Sequence, residues 1–274
     1  MSNPVSDHMR ARIVADLHKI QSEEGVQILL AVESGSRAWG FHSPDSDYDV
    51  RFIYAQPIDW HLTVDPGRDV IERPISDELD LSGWDLRKSL GLILRSNAVV
   101  LEWLQSPIVY LGDQDFRADL TEFGRQTLRR KPVMWHYLRL AQRQHDRMRD
   151  HDGSIRLKKY FYVIRPVLAL RWLRLRPDLS VPPMNMSELL AGADVPVAAR
   201  DLIDDLIIQK RSVSELGSVT QVPQEIDAVI AEELDAAVAF LGDQPPEPKS
   251  AQRSEADALL RKWTRRADPA EAAA

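Results

Sequence analysis

The sequence predicts a protein with two structural parts: an N-terminal part that mixes helices and strands, in an α/β or α+β fold, and a helical part that follows it. Three observations lead to this prediction. Short apolar runs of strand length occur within the first 111 residues. Stretches with helical spacing of apolar residues lie before and after those runs. From residue 112 onward the strand signals fade and helical periodicity takes over.

The predicted strands are short, apolar and bounded by polar or turn-forming residues. They cover Val26–Val32, Tyr48–Tyr54 and a segment centred on Leu79–Leu81. The turn signal Asp65-Pro66-Gly67 also predicts a hairpin between residues 61–64 and 69–73. The expected order of the N-terminal part is therefore helix, strand, strand, hairpin, strand and helix.

Helices are predicted where apolar residues recur every three or four positions. The first has a capping residue, Ser6 or Asp7, at its start and Gly25 after its end. The predicted helices cover residues 6–24, 85–94, 98–104, 132–148, 154–176, 187–191, 197–211 and 224–241.

The chain is expected to divide into three regions. Residues 1–111 carry the strand signals, and residues 112–243 are helical. Pro-Pro-Glu-Pro follows soon after Gly242, and we expect residues 244–274 to form a flexible polar tail. Residues 254–266 have the pattern of a helix, which we expect to be loosely held.

The composition excludes several kinds of site and protein. The chain has no cysteine, which excludes disulfides, thiolate metal sites and a cysteine nucleophile. No apolar run approaches the roughly 18–20 residues that span a bilayer, and the polar, charged residues 1–12 show no signal peptide. We therefore expect no membrane association and a cytoplasmic protein, with which the absence of cysteine is compatible.

Charge is distributed unevenly along the chain. The formal net charge of −7 argues against a surface that binds nucleic acid everywhere. Residues 125–176 nevertheless hold fifteen Lys and Arg against three Asp, a balance of +12, so that the rest of the chain sums to −19. A basic segment beside an acidic site fits a polyanionic substrate, and solvated helix faces would explain the charge run equally well.

Residues 34–50 carry the strongest candidate for a functional site. They join the first two predicted strands and contain Gly35-Ser36 and two aspartates, Asp47 and Asp49, spaced one residue apart. Alternation along the second strand places Asp47, Asp49 and Arg51 on one face. Neighbouring carboxylates repel each other, and hard oxygen ligands at this separation suit Mg²⁺. A Gly-Ser turn after a strand can direct N–H groups and a hydroxyl at a phosphate.

These features resemble a known signature. A strand, Gly35-Ser36, ten further residues and Asp47-Tyr48-Asp49 are similar to the motif of the DNA polymerase β-like nucleotidyltransferase superfamily, in which a third carboxylate follows on a later strand. Longer blocks over roughly residues 28–175 resemble the bacterial and phage family of predicted nucleotidyltransferases that includes the RNA-ligase-associated RlaP type. These blocks are Gly-Ser-Arg-Ala-Trp-Gly-Phe, Ser-Asp-Tyr-Asp-Val-Arg-Phe, Asp-Leu-Ser-Gly-Trp-Asp-Leu-Arg-Lys, Glu-Trp-Leu-Gln-Ser-Pro and Lys-Lys-Tyr-Phe-Tyr.

The resemblance implies a fold and a metal site. The fold is α+β, a nucleotidyltransferase-like mixed β-sheet with helices on one side, followed by a C-terminal helical domain. Residues 1–111 become the catalytic domain and residues 112–243 the helical domain that binds nucleotide or substrate. Asp47, Asp49 and Asp80 become ligands of two Mg²⁺ ions, with Mn²⁺ as an alternative, and Asp80 also activates the attacking hydroxyl.

Phosphate binding is expected from five residues. By the resemblance, Gly35 and Ser36 hold the β- and γ-phosphates of a nucleoside triphosphate (NTP), and at least one of Lys158 and Lys159 holds the triphosphate. Arg37 is a further candidate for a phosphate contact, with the balancing of carboxylate charge as its alternative role.

Two assignments keep alternatives open. Asp85 and Glu78 lie close to Asp80 in the sequence and compete with it as the third carboxylate, although Asp85 has a simpler role as the cap of the next helix. Arg51 either contacts phosphate or balances the carboxylates.

The expected function is Mg²⁺-dependent transfer of a nucleoside monophosphate from an NTP to a hydroxyl, with release of pyrophosphate. The expected acceptor is the 3′-hydroxyl of RNA or of a nucleotide, in RNA repair or modification, with an RNA ligase as a partner. A second hypothesis keeps this chemistry and replaces the acceptor by a protein or a small molecule. A third is a non-catalytic nucleotide- or RNA-binding regulatory module, against which the presence of all three candidate carboxylates argues.

Overall fold

The computed structural model of the chain describes residues 4–76, 78–149, 155–212, 218–219, 223–243 and 252–267. In chain order its helices and strands are α1 (Asp7–Glu24), β1 (Gln27–Glu33), α2 (Gly35–Trp39), β2 (Tyr48–Ala55), α3 (Ile58–His61), β3 (Val70–Glu72), β4 (Leu79–Asp85), α4 (Leu86–Leu94), α5 (Val99–Gln105), β5 (Val109–Gly112), α6 (Gln114–Thr127), α7 (Arg130–Asp146), β6 (Ile155–Arg156), α8 (Leu157–Arg174), α9 (Met186–Gly192), α10 (Val197–Ser212), β7 (Ser218–Val219), α11 (Gln224–Asp243) and α12 (Arg253–Ala267). The mixed sheet and the helices confirm the predicted α+β class.

The chain forms two compact units. The first comprises the described parts of Met1–Ala38, Asp47–Leu128 and Ser250–Ala274, and the second those of Trp39–Ser46 and Arg129–Lys249. The expected boundary at residue 111 therefore lies too early. Helix α6 belongs to the first unit because it contacts α5, α4 and β1, and the sequence had given no separate prediction for it.

A five-stranded sheet organises the first unit, in the order β3-β4-β2-β1-β5. Strands β2 and β4 are parallel, whereas the β1–β2, β1–β5 and β3–β4 pairs are antiparallel. Because β2 and β4 run in the same direction, their N-terminal ends meet at one edge of the sheet. Residues at matched positions of these two strands consequently lie side by side.

Helix α1 has the boundaries that its caps predict. The Ser6 side chain accepts a hydrogen bond from the Met9 N–H at 3.2 Å, and Gly25 ends the helix in the left-handed region with φ of 64°. The apolar stripe of α1 packs against the sheet, which builds the core of the first unit. Its members include Met9, Ile13, Leu17, Ile20, Val50, Phe52, Tyr54, Leu79 and Leu81.

The opposite side of β2 changes character along the strand. Ile53 is fully buried, and both α4 and α12 contact β2. Asp49 and Arg51, which precede Ile53 on the same face, are only partly buried. The N-terminal half of this face is thus where polar side chains of the sheet reach solvent.

The predicted hairpin at Asp65-Pro66-Gly67 is wrong. Residues 58–61 form the short helix α3, and the following turn carries the highly exposed Leu62 and Val64. Strand β3 pairs with β4 instead of with residues 61–64. The turn residues were recognised correctly, but β4 offers a longer partner with the alternating buried positions that residues 61–64 lack.

The expected tail also differs from the structure. Residues 253–267 form α12, whose Trp263 is only 1% exposed and lies edge-on to Phe116 at 5.1 Å between ring centroids. The Trp263 Nε1–H donates to Asp119 at 2.8 Å, and Arg266 pairs with Asp113 at 2.9 Å. This helix is therefore a packed part of the first unit. Residues 244–251 and 268–274 of the predicted tail lie outside the described residues.

The second unit is built around helices α7, α8 and α11, which contact one another. The predicted helix over residues 154–176 corresponds to α8, and residue 154 lies outside the described residues. Most residues of α8 are buried, which is typical of a central helix. Within the described ranges, no helix combines the length and apolar character needed to cross a membrane.

Candidate active site

Two of the predicted carboxylates lie next to each other on the sheet. The parallel register of β2 and β4 pairs Asp49 with Asp80. Side chains at paired positions point to the same face. The sequence could place Asp49 on a strand, but only the register brings Asp80 beside it.

A single arginine bridges these two carboxylates. The Arg51 Nη2 lies 3.2 Å from Asp49 Oδ1 and 2.7 Å from Asp80 Oδ2. Its Nη1 donates to the backbone carbonyls of Val50 and Asp80, both at 3.1 Å. Of the two roles considered for Arg51, the geometry is that of a balancing charge, and the three side chains form what we call the Asp49–Arg51–Asp80 cluster.

Gly35 allows the chain to pass close to Asp49. Its φ of 58° lies in the left-handed region, and a Cβ at this position would lie 2.0 Å from Asp49 Oδ2. Any other residue would therefore both strain the backbone and displace the carboxylate. The Gly-Ser pair, predicted as a turn, instead begins the short helix α2 directly after β1. Ser36 in that helix is buried.

A buried glutamate that the sequence did not reveal holds the backbone of Asp49 through a hydrogen bond. Glu33 is fully buried, and its Oε1 accepts a hydrogen bond from the Asp49 backbone N–H at 2.9 Å. The Tyr110 hydroxyl donates to the other oxygen, Oε2. Burial raises the pKa of Glu33 from its ordinary 4.5 to about 7, against the lowering effect of these hydrogen bonds. The only sequence signal for it is a charged residue at the end of the apolar run of β1.

Arg37 has a different position from the one expected of a phosphate ligand. It is 5% exposed, and its Nη1 donates to the Pro4 carbonyl at 2.6 Å. Its Nε donates to the Asp47 carbonyl at 3.3 Å, and its guanidinium lies 3.7 Å from the centroid of the Tyr48 ring. These contacts fix the segment that leads into β2, which is a structural role.

The remaining predicted residues fall into both units. Asp47 directly precedes β2 and is exposed. Lys158 and Lys159 are half-buried in the first turn of α8, in the second unit. Their phosphate contacts stay a prediction.

The alternatives to Asp80 have other positions. Asp85 is fully buried and caps α4, because its Oδ1 accepts from the Arg87 N–H at 2.8 Å. Burial raises the pKa of Asp85. The Glu78 carbonyl accepts from Tyr48 N–H at 2.7 Å, immediately before the paired segment of β4. The register therefore favours Asp80 over both.

The cluster offers the oxygen donors that a hard divalent cation prefers. Asp49 and Asp80 supply these donors, both carboxylates are partly exposed, and the absence of a side chain at Gly35 leaves room for the Asp49 carboxylate. Among the described residues, however, no three histidine or acidic side chains converge as a ready metal-binding group. The guanidinium of Arg51 already contacts one oxygen of each carboxylate.

Part of the basic segment is used inside the second unit. Five of its arginines donate to backbone carbonyls or to Glu233 there: Arg130, Arg165, Arg171, Arg174 and Arg176. Two others, Arg139 and Arg143, are exposed on α7, where Arg139 lies over the Trp135 ring at 5.5 Å. The balance of +12 therefore overstates the charge that a substrate would meet.

The mixed sheet, together with the Gly-Ser and Asp-x-Asp residues at its strand ends, places the protein in the class of polymerase β-like nucleotidyltransferases. The chain belongs to the RlaP family, because the family model described as "RNA repair pathway DNA polymerase beta family" matches residues 9–262. The resemblance found in the sequence is thereby confirmed.

Two further comparisons give relatives of the chain. It is 41% identical over 214 residues to the "Uncharacterized protein YcgL" of Bacillus subtilis (strain 168), covering 76% of this chain and 79% of that protein. Among solved structures, it is similar to a nucleotidyltransferase-like protein from Exiguobacterium sibiricum 255-15, with 12% identity, a TM-score of 0.34, and coverage of 91% and 87% of the two chains. A similarity of that level supports no further assignment.

Proposed function

We propose that the protein transfers a nucleoside monophosphate from an NTP to the 3′-hydroxyl of an RNA, with divalent cations held by Asp47, Asp49 and Asp80. The observation that carries the proposal is the pairing of Asp49 with Asp80 on parallel strands beside Gly35. In this reaction the acceptor oxygen forms a bond to the α-phosphorus, and the bond from the α-phosphorus to the bridging oxygen of the leaving pyrophosphate breaks.

Each site residue has a role in this proposal. Asp47, Asp49 and Asp80 would hold the cations, and Asp80 would also accept the proton that the acceptor hydroxyl loses when its oxygen bonds to the α-phosphorus. Bound divalent cations would stabilise the charge on the phosphate oxygens and lower the pKa of the attacking hydroxyl. Gly35 keeps the Asp49 carboxylate in place, and Glu33 fixes the Asp49 backbone from the buried side. Positioning and electrostatics of this kind supply most of the rate in phosphoryl-type transfers.

The family description names an RNA repair pathway, which supports RNA as the acceptor. A second support is the solvent face of α7, where Trp135 and the exposed Arg139 and Arg143 recur at every fourth position. An aromatic ring next to arginines suits a single strand, because bases stack on the ring and phosphates bind the guanidinium groups. An RNA ligase as partner stays a prediction.

Label transfer tests the reaction. The protein is incubated with Mg²⁺, each α-labelled NTP, and an RNA oligonucleotide that ends in either a 3′-hydroxyl or a 3′-phosphate. We expect labelling of the 3′-hydroxyl RNA alone, lost in Asp49→Asn and retained in Asp65→Asn, a matched change at an exposed aspartate of the first unit. Equal labelling by Asp49→Asn would contradict the site, and labelling of protein in place of RNA would support the second hypothesis. NTP binding without any transfer would support a non-catalytic module.

Salt-dependent binding tests the RNA surface on α7 separately from catalysis. The double variant Arg139→Gln/Arg143→Gln is compared with Arg261→Gln/Arg265→Gln, which removes the same charge from exposed positions of α12. If both α7 arginines contact phosphates of a single strand, the slope of log affinity against log salt should fall by about 1.4, since each contact contributes about 0.7. An equal loss in the two double variants would show non-specific attraction only.

A further inference from the structure

Arg51 is held more firmly than an arginine that merely neutralises surface charge. Its guanidinium contacts two carboxylates and two backbone carbonyls, and its side chain is 20% exposed. All of its acceptors belong to β2 and β4, the two strands that carry the candidate metal ligands. Arg51 therefore fixes the distance and orientation of the Asp49 and Asp80 carboxylates.

Within this cluster two carboxylates share one guanidinium. Two carboxylates on neighbouring strands repel each other, and the guanidinium between them reduces that repulsion. A divalent cation that takes both carboxylates must, however, share or replace the oxygens that Arg51 contacts, Asp49 Oδ1 and Asp80 Oδ2.

We propose that Arg51 is the resident counter-charge of the Asp49–Asp80 pair and competes with a divalent cation for its oxygens. The inference rests on the proposed function, because it takes both aspartates as metal ligands. Arg51 is thus a positioning residue that keeps the carboxylates together before the cation binds, at the expense of metal affinity.

The structure offers a matched control for this role. Arg73 also bridges two carboxylates in the first unit, at 2.9 Å from Glu23 and 2.7 Å from Glu24, and its side chain is 29% exposed. Its partners are not candidate metal ligands. Arg51→Met and Arg73→Met therefore remove equivalent ion pairs, and only the first changes the proposed metal site.

The test measures Mn²⁺ affinity by calorimetric titration and the unfolding temperature in EDTA, neither of which requires activity. Arg51→Met should bind Mn²⁺ about three- to tenfold more tightly than the wild type, because the displaced ion pairs are partly exposed and individually weak. In EDTA its unfolding temperature should fall by about 2–4 °C, the shift expected for roughly 1 kcal/mol in a chain of this size. Arg73→Met should show a similar fall with unchanged Mn²⁺ affinity.

Two further variants separate the possible failures. Arg51→Gln is also neutral and carries the test if Arg51→Met does not fold, and Asp49→Asn should abolish Mn²⁺ binding. Unchanged or weaker affinity in both Arg51 variants, with binding lost in Asp49→Asn, would overturn the competition alone. Mn²⁺ binding that is absent from every variant, or insensitive to Asp49→Asn, would overturn the proposed metal site and the competition with it.

Discussion

The two units each contain a cluster of three charged side chains, and the clusters have opposite composition. In the first unit one arginine lies between two carboxylates, Asp49 and Asp80, which are 27% and 29% exposed. In the second unit one carboxylate, Glu233, lies between Arg171 and Arg174 and is fully buried. The sheet cluster therefore places two carboxylates around one guanidinium within reach of solvent, and the helical cluster places two guanidinium groups around one buried carboxylate.

The surroundings of the helical cluster supply further partners for Arg171. It donates to the carbonyls of Ala193 at 2.8 Å and of Asp194 at 3.1 Å, and Glu232 lies 3.3 Å from its Nη1. Glu233 accepts three hydrogen bonds from Arg174, at 2.8, 3.0 and 3.2 Å, and one from Arg171 at 3.5 Å, and its contact with Arg174 raises the pKa of that arginine. Buried charges with this many partners hold α8 and α11 in register, whereas the partly exposed sheet cluster is suited to binding.

The largest expected effect follows from breaking the helical cluster. Glu233→Gln removes the buried charge that Arg171 and Arg174 share, and loss of one partner from such a site costs about 3–5 kcal/mol of unfolding free energy. Urea denaturation measures the change. The neighbouring Glu232→Gln is the control: because Glu232 is 63% exposed, its loss should cost no more than about 1 kcal/mol. Equal effects would show that burial does not distinguish the two carboxylates.

The second effect concerns Glu33, a buried charge that belongs to the sheet. The pKa of Glu33 is higher in the folded protein, about 7, than its ordinary 4.5, so the folded state holds the proton more tightly. Its contribution to stability is complete below pH 4.5 and is lost as pH rises through 7. Glu33→Gln removes this dependence. As pH rises from 4 to 8, the unfolding free energy of the variant should therefore increase by about 3 kcal/mol relative to that of the wild type.

Denaturation across this pH range in EDTA checks the prediction for Glu33. Glu255→Gln, an exposed carboxylate on α12, should leave the pH profile of the wild type unchanged. Parallel profiles for wild type and Glu33→Gln would show that the pKa of Glu33 is the same in the folded and unfolded protein, which would contradict the predicted rise.

A smaller change in stability is expected at Gly35. Gly35→Ala and Gly25→Ala both place a Cβ in the left-handed region, at φ of 58° and 64°, and each should lose about 1–2 kcal/mol. Only at Gly35 does the added Cβ meet Asp49, since a Cβ at Gly25 would meet no atom of the described residues within 4 Å beyond its own chain neighbours. Label transfer should therefore fall in Gly35→Ala and persist in Gly25→Ala. Equal label transfer by the two variants would show that displacement of the Asp49 carboxylate does not affect the reaction.

The smallest change in stability is expected at Asp80. Asp80→Asn removes one partner of Arg51 and, at the same time, the repulsion with Asp49, so the unfolding free energy should change by less than about 1 kcal/mol. Label transfer should nevertheless be lost. A cost as large as that of Glu233→Gln would show that the sheet cluster is also structural, and the contrast between the two clusters would fail.

The sequence predicted the features that depend on neighbouring residues. The caps Ser6 and Gly25 and the apolar stripe between them give the boundaries of α1 almost to the residue. The position of Asp49 in a strand follows from the apolar residues around it. Such features depend on periodicity and turn chemistry, which are local properties of the chain.

The features that the sequence did not predict depend on distant pairing. Residues 61–64 have an acceptable local pattern for a hairpin, but β3 pairs with β4 because the sheet supplies a better partner. Glu33 and Tyr110 are 77 residues apart in the chain and meet only through β1 and β5. Arg37 was expected either to contact phosphate or to balance carboxylate charge, and the structure buries it against Tyr48.

Helix α12 has a consequence for how the protein folds during synthesis. It completes the first unit by covering Phe116 with Trp263, yet it follows the whole of the second unit in the chain. Helix α6 is synthesised before residues 129–249 of the second unit, and α12 is synthesised after them. Trp263 can therefore cover Phe116, and the first unit can reach its final packing, only after the second unit has been synthesised.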